Sequence, residues 1–127
     1  MRSGEFKTPI TQGWLGEDQV ARVFFSPNAQ VTLQDAKDHF AACLKASRGE
    51  RHPVLVDIRN LKSVEHPARK FFADESFSKF TKASALLVGS PLSKVLGSFF
   101  IGLNRPPYPI RIFSSEDEAL EWLKKFQ

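Results

Sequence analysis

The residues able to do chemistry are few and scattered along the chain. Three histidines, His39, His52 and His66, stand far apart. None has a metal-ligand spacing such as H-x-x-x-H. A lone cysteine, Cys43, excludes an intramolecular disulfide and any multi-cysteine metal centre. Each histidine is expected in a surface or capping role, and Cys43 as a small buried hydrophobe. No Ser/His/Asp or Cys/His order carries a nucleophile-elbow motif. The acidic groups Asp74-Glu75 and Glu116-Asp117-Glu118 read as solvated charge in helix turns. These residues assign no catalytic group, metal or cofactor.

Two segments carry more. Asp57 ends the apolar run Val54-Leu55-Val56, at the C-terminal end of an expected parallel strand. Open α/β sheets place ligand crevices there. The alternative is that Asp57 accepts hydrogen bonds from its own exit loop, holding Arg59 and Asn60. The second segment is VGSPLSK, residues 88–94. It lacks the G-x-x-x-x-G-K-[ST] spacing, so nucleotide hydrolysis is not supported. Helix N-terminal amides at Ser90 to Ser93, with Lys94, can still attract an anion; the alternative is plain helix capping. Asp57, Arg59, Asn60, Ser90, Ser93 and Lys94 therefore form the candidate ligand crevice.

The elements that must position these residues follow from pattern. The chain has 127 residues, 42% hydrophobic and 25% charged, which suits one soluble domain with its own core. Twelve of its 15 aromatics are Phe, a core-filling supply. The net charge is +4, with nine basic and seven acidic residues in both 1–64 and 65–127. There is no basic stripe and no RNA-binding aromatic signature, so no specific nucleic-acid partner is expected. No apolar run is long enough to span a membrane, and MRSGEFKTPI lacks the apolar stretch of a secretory signal. A cytoplasmic location is expected, with residues 1–9 an extension, disordered or vector-derived, before a single domain over 10–127.

Two extended segments, Ile10 to Leu15 and Gln19 to Phe25, flank a turn at Gly16-Glu17-Asp18. Thr32 caps a helix whose inner face holds Leu33, Ala36, Phe40, Cys43 and Leu44, with His39 beside it. Val54 to Ile58 is a strand, followed by a helix opening at His66-Pro67, with Ala68, Phe71, Phe72 and Glu75 in helical spacing. Ala83 to Val88 is the next strand. Ser90 and Pro91 start a third helix with Leu92, Val95, Leu96, Phe99, Phe100 and Leu103 on its core stripe. Ile101 lies off that stripe. Ile110 to Phe113 is a last strand, and Ser115 with Glu118 forms a capping box for a final helix lined by Ala119, Trp122, Leu123 and Phe126. The expected fold is α/β, a mixed, mostly parallel sheet of about five strands with four main helices.

This order, with VLVDIRNLKSVEHPARKFF, ALLVGSPLSKVLGSFFIGLN and PIRIFSSEDEALEWLKKF, resembles the small STAS-like bacterial proteins near the anti-sigma-factor antagonists. The resemblance covers roughly residues 10 to 126. It implies the STAS fold and an uncharacterised family. In antagonist STAS domains an Asp-Ser-Ser-Gly-type motif opens a helix, and a kinase partner phosphorylates one serine. The matching stretch here is Val64 to Arg69. Glu65 stands at the acidic position, His66 and Pro67 at the serines, and Ala68 at the glycine. The usual acceptor is therefore missing, and Ser63 is a displaced candidate. The resemblance implies a non-enzymatic regulatory or protein-interaction module. Its docking surface would include His66, Pro67, Arg69, Lys70 and Ile101, meeting another protein or a second copy as a homodimer. The alternative is a small-molecule-binding protein holding an apolar or anionic ligand in the crevice at the strand C-terminal ends.

Overall fold

A computed structural model describes residues 3–95 and 108–127. Eight strands occur among them. β1 (Phe6–Lys7), β2 (Thr11–Leu15), β3 (Ala21–Phe25), β5 (His52–Asp57), β7 (Thr81–Leu87) and β8 (Ile110–Phe113) form one sheet in the order β1-β2-β3-β5-β7-β8. The first two pairings are antiparallel and the other three parallel. β4 (Gln30–Val31) and β6 (Ser63–Val64) make a separate two-stranded parallel sheet. The mixed, mostly parallel sheet is as expected, and the strand count is higher. The three strands beyond the expected five are two residues each, too short to show a period. Residues 1–9 are not wholly an extension: Phe6 lies opposite Gly13, where any side chain would collide with the Phe6 ring and the Arg22 carbonyl.

The helices are α1 (Leu33–Ser47), α2 (His66–Phe72), α3, described over residues 91–95, and α4 (Glu116–Leu123). Thr32 caps α1 by accepting from the Asp35 amide at 3.1 Å, and the Asp35 carboxylate in turn accepts from the Thr32 amide at 3.0 Å. Such a cap contributes about 1 kcal/mol. Arg48, left-handed at φ 52°, and Gly49, at φ 80°, end the helix. α2 stops at Phe72, and Glu75–Lys79 is a separate 3₁₀ turn, so Glu75 is not on the helix. The Asp74 carboxylate accepts from the Ser76 amide at 2.8 Å and starts that turn.

Period-two alternation divides the core. Leu55, Ala83, Ala85 and Leu87 pack against Ala119 and Leu123 of α4. On the other face Leu86 and Val56 join Ala36 of α1 and Ala68 of α2. A third cluster of Phe77, Phe80 and Cys43, with Phe40 and Phe71 against it, closes the space beside α1 and α2. At the start of α3, Leu92 and Val95 are 46% and 66% exposed, while Ser93 is fully buried. The inner face of that first turn is therefore set by the serine, not by the expected apolar stripe. Leu96, Phe99, Phe100, Ile101 and Leu103 lie outside the described residues. No helix among the described residues is long and apolar enough to cross a membrane.

Candidate functional site

The C-terminal ends of β5 and β7 are closed by their own side chains. Asp57 is buried, and its carboxylate accepts from the Arg59 amide at 3.0 Å. The Arg59 guanidinium adds a bond of 2.7 Å to Oδ2 and one of 3.1 Å to Oδ1. That carboxylate holds the guanidinium above its ordinary pKa. The Arg59 stem crosses Gly89, where a Cβ would sit 3.2 Å from Arg59 Cγ. Asp57 thus holds its own exit loop, and Asn60 is exposed, with its carbonyl accepting from the Asn28 amide at 2.9 Å.

The turn after β7 is closed in the same way. Ser93 Oγ accepts from the Gly89 amide at 3.0 Å and the Ser90 amide at 2.9 Å. Ser90 Oγ accepts from the Ser93 amide at 3.0 Å. This reciprocal cap uses the Ser90 and Ser93 amides, two of those that anion binding would need. Lys94 is exposed on the next residue. The structure brings Asp57, Arg59, Ser90 and Ser93 together around Gly89, in capping roles.

The proposed docking residues lie elsewhere. His66, Pro67 and Lys70 are exposed at the start of α2, and Arg69 is half-buried. Glu65 has a structural role: Oε1 accepts from the Leu33 amide at 2.6 Å, tying α2 to the first turn of α1. Ser63 is exposed in β6.

The open volume lies between α1 and the sheet. A cavity of about 930 Å³ is floored by Val54 and Val56 of β5 with Ser84 and Leu86 of β7. Val23 and Phe25 form one side, and Ile110 the other. Its deep end reaches the buried Ile58, Leu61 and Val64. Its rim is at the N-terminal ends of the parallel strands, where the exposed Lys7, Lys45, Arg48 and Glu50 line it. That size and apolar lining match pockets that hold small organic ligands.

His39 forms part of the roof, and the expected surface role is corrected: it is 6% exposed. The inward face of α1 is Ala36, His39 and Cys43, and Leu44 is turned out, 40% exposed. The imidazole can be buried because Nδ1 bonds Thr11 Oγ1 at 3.0 Å and Nε2 meets Cys43 Sγ at 3.4 Å. The rings of Phe6, Phe25 and Phe72 lie 5.6–6.1 Å from it. Burial lowers its pKa to about 4, so it is neutral at neutral pH. Burial also pushes the Cys43 thiol and the Tyr108 phenol, both lining the cavity, up to about 12. Cys43 is an inert inward hydrophobe, as its place on the helix implies.

A family model for a domain of unknown function, DUF7793, matches residues 14–127. The chain belongs to the DUF7793 family. An uncharacterised protein of the DUF3478 family from Shewanella loihica PV-4, solved with a SpoIIAA-like fold, aligns with a TM-score of 0.60 and 16% identity. The alignment covers 94% of this chain and 90% of that one. This DUF7793 protein therefore has the STAS-like fold that its sequence resembles. A protein of unknown function from Arthrobacter sp. FB24 is 28% identical over 97% of this chain and 93% of its own, with a TM-score of 0.34. No curated protein matches significantly.

The cavity was not legible in the sequence, whose polar residues cluster at the C-terminal strand ends, away from the rim. Two signals were present: a serine inside the buried run Ala83-Ser84-Ala85-Leu86, and a histidine three residues beyond Ala36 on α1. Neither says whether a helix packs down onto the strand or stands off it.

Proposed function

We propose that this DUF7793 protein is a non-enzymatic STAS-like module that binds a small, mostly apolar molecule between α1 and the sheet. One observation carries the reading: the volume of about 930 Å³ over the floor of Val54, Val56, Ser84 and Leu86. Interiors are normally packed to crystal-like density, with voids near the size of a water molecule. A space this large is expected to hold a ligand. The ligand enters from the N-terminal ends of the parallel strands and not from the crevice at Asp57.

Native mass spectrometry of freshly purified protein tests this directly. A retained small-molecule mass, lost from Val56→Trp, is the expected result. A clean apo mass, with no uptake of the neutral dye N-phenyl-1-naphthylamine, overturns it.

A second reading has its own support. Leu92 and Val95 are exposed apolar side chains at the start of α3, and His66, Pro67 and Lys70 are exposed on α2. They fit a regulatory surface for another protein or a second copy, in a bacterial cytoplasm. With Pro67 at the usual acceptor position, this surface would work without the common phosphoswitch. Loss of a co-purifying protein or of a dimer from Leu92→Asp/Val95→Asp supports it.

A further inference from the structure

Ser84 stands at the middle of the cavity floor. Its same-face neighbours are Val54 in β5, Ile110 in β8 and Leu86 two residues on, while Ala83 and Ala85 face α4. Ser84 is 6% exposed, and none of the hydrogen bonds among the described residues uses its hydroxyl, which is not sealed off but borders the open volume. A serine in a helix can turn to the carbonyl one turn back, but a strand offers no such acceptor. The carbonyls around it belong to the parallel ladders on both sides. The hydroxyl therefore faces the open volume as an unused donor and acceptor. A small side chain at this point also keeps the floor low.

The charge distribution separates two ligand classes. Among the described residues, the ionised side chains lining the cavity are Glu5, Lys7, Lys45, Arg48 and Glu50, all exposed at the rim. Half-buried His52 lies beside them, with Nε2 3.5 Å from Glu50 Oε2. The deep wall holds Ile58, Leu61 and Val64, and the roof histidine is already bonded to Thr11 and Cys43. An ionised head beside Ser84 would find no counter-charge among the described residues and would lose its hydration. A neutral oxygen would need only the hydroxyl's hydrogen.

We infer that the ligand is an uncharged apolar molecule bearing one oxygen, a carbonyl, ether or hydroxyl, seated on the Ser84 hydroxyl. This deepens the ligand-binding reading and rests on it.

Displacement of N-phenyl-1-naphthylamine from the full chain tests it, because the dye is neutral and oxygen-free. At neutral pH, 2-decanone and 1-decanol are expected to displace it at concentrations about tenfold or more below those needed for decanoate. Ser84→Ala is expected to weaken 2-decanone about three- to tenfold, the worth of one hydrogen bond, and to weaken it by more than it changes the affinity of the oxygen-free dye. The same variant should melt no lower than the parent, since it removes a hydroxyl that no described residue meets. Ser84→Cys, similar in size but a poor donor, should weaken the ketone in the same way. Decanoate binding as tightly as the ketone, or ketone affinity unchanged in both variants, overturns the inference and leaves the cavity reading intact. No dye uptake at all overturns both.

Discussion

At the C-terminal ends of β5 and β7, Asp57, Arg59, Ser90 and Ser93 satisfy one another around Gly89. Along the α1-facing side of the same strands, Ser84 and a floor of Val54, Val56 and Leu86 face open volume. The first region holds the polar residues that suggest a site, and the second is mostly apolar. The difference lies in where the chain can supply partners. A strand-to-helix turn has exposed amides and short polar side chains one or two residues away, so it closes on itself. A strand interior has its backbone committed to ladders, so a side chain there finds a partner only if a helix brings one.

Val56→Trp is the sharpest way to break the comparison. The indole should project from the floor into the cavity beside Leu86 and lower N-phenyl-1-naphthylamine affinity more than about a hundredfold, equivalent to about 2.7 kcal/mol, while far-ultraviolet dichroism stays native. A variant that still takes up the dye would place the ligand elsewhere.

The cavity roof predicts an acid response. Folding holds His39 at a pKa of about 4, below its ordinary 6.5. Between these values the unfolded chain binds the extra proton, so stability is full above pH 6.5 and falls as pH drops toward 4. The loss should approach about 3 kcal/mol from this group. Half-buried His52 is shifted in the same direction, chiefly by burial. Asp18, lowered by its bond to Arg22, acts only below the ordinary carboxylate value. Urea unfolding across this range, compared with His39→Gln, checks the sign: the variant should show a flatter dependence.

The closed end should behave oppositely. Asp57→Ala strips a buried acceptor from the Arg59 amide and is expected to cost about 1–3 kcal/mol, read by urea unfolding. Dye affinity should not change. A binding defect in folded Asp57→Ala would restore the strand C-terminal ends as the site. Ser93→Ala should cost about 1 kcal/mol through the lost cap of the 89–90 amides, again with binding intact.

What was legible in the sequence was whatever short-range chemistry decides. The Thr32 cap, the Pro67 helix start, the Ser90 cap, the strands at Val54 and Ala83, and the Asp57 hold on Arg59 all involve residues within a few positions of one another. The STAS-like order followed from them. The two-residue strands escaped because a period cannot be read from two residues, and Glu65 reached Leu33 across 32 positions of chain. The inward turn of His39 depended on Thr11 and on three Phe rings from β1, β3 and α2. Periodicity places a residue on a face. It does not say how far that face stands from the next layer, and that distance is what leaves Ser84, among the described residues, beneath a cavity and not beneath a packed helix.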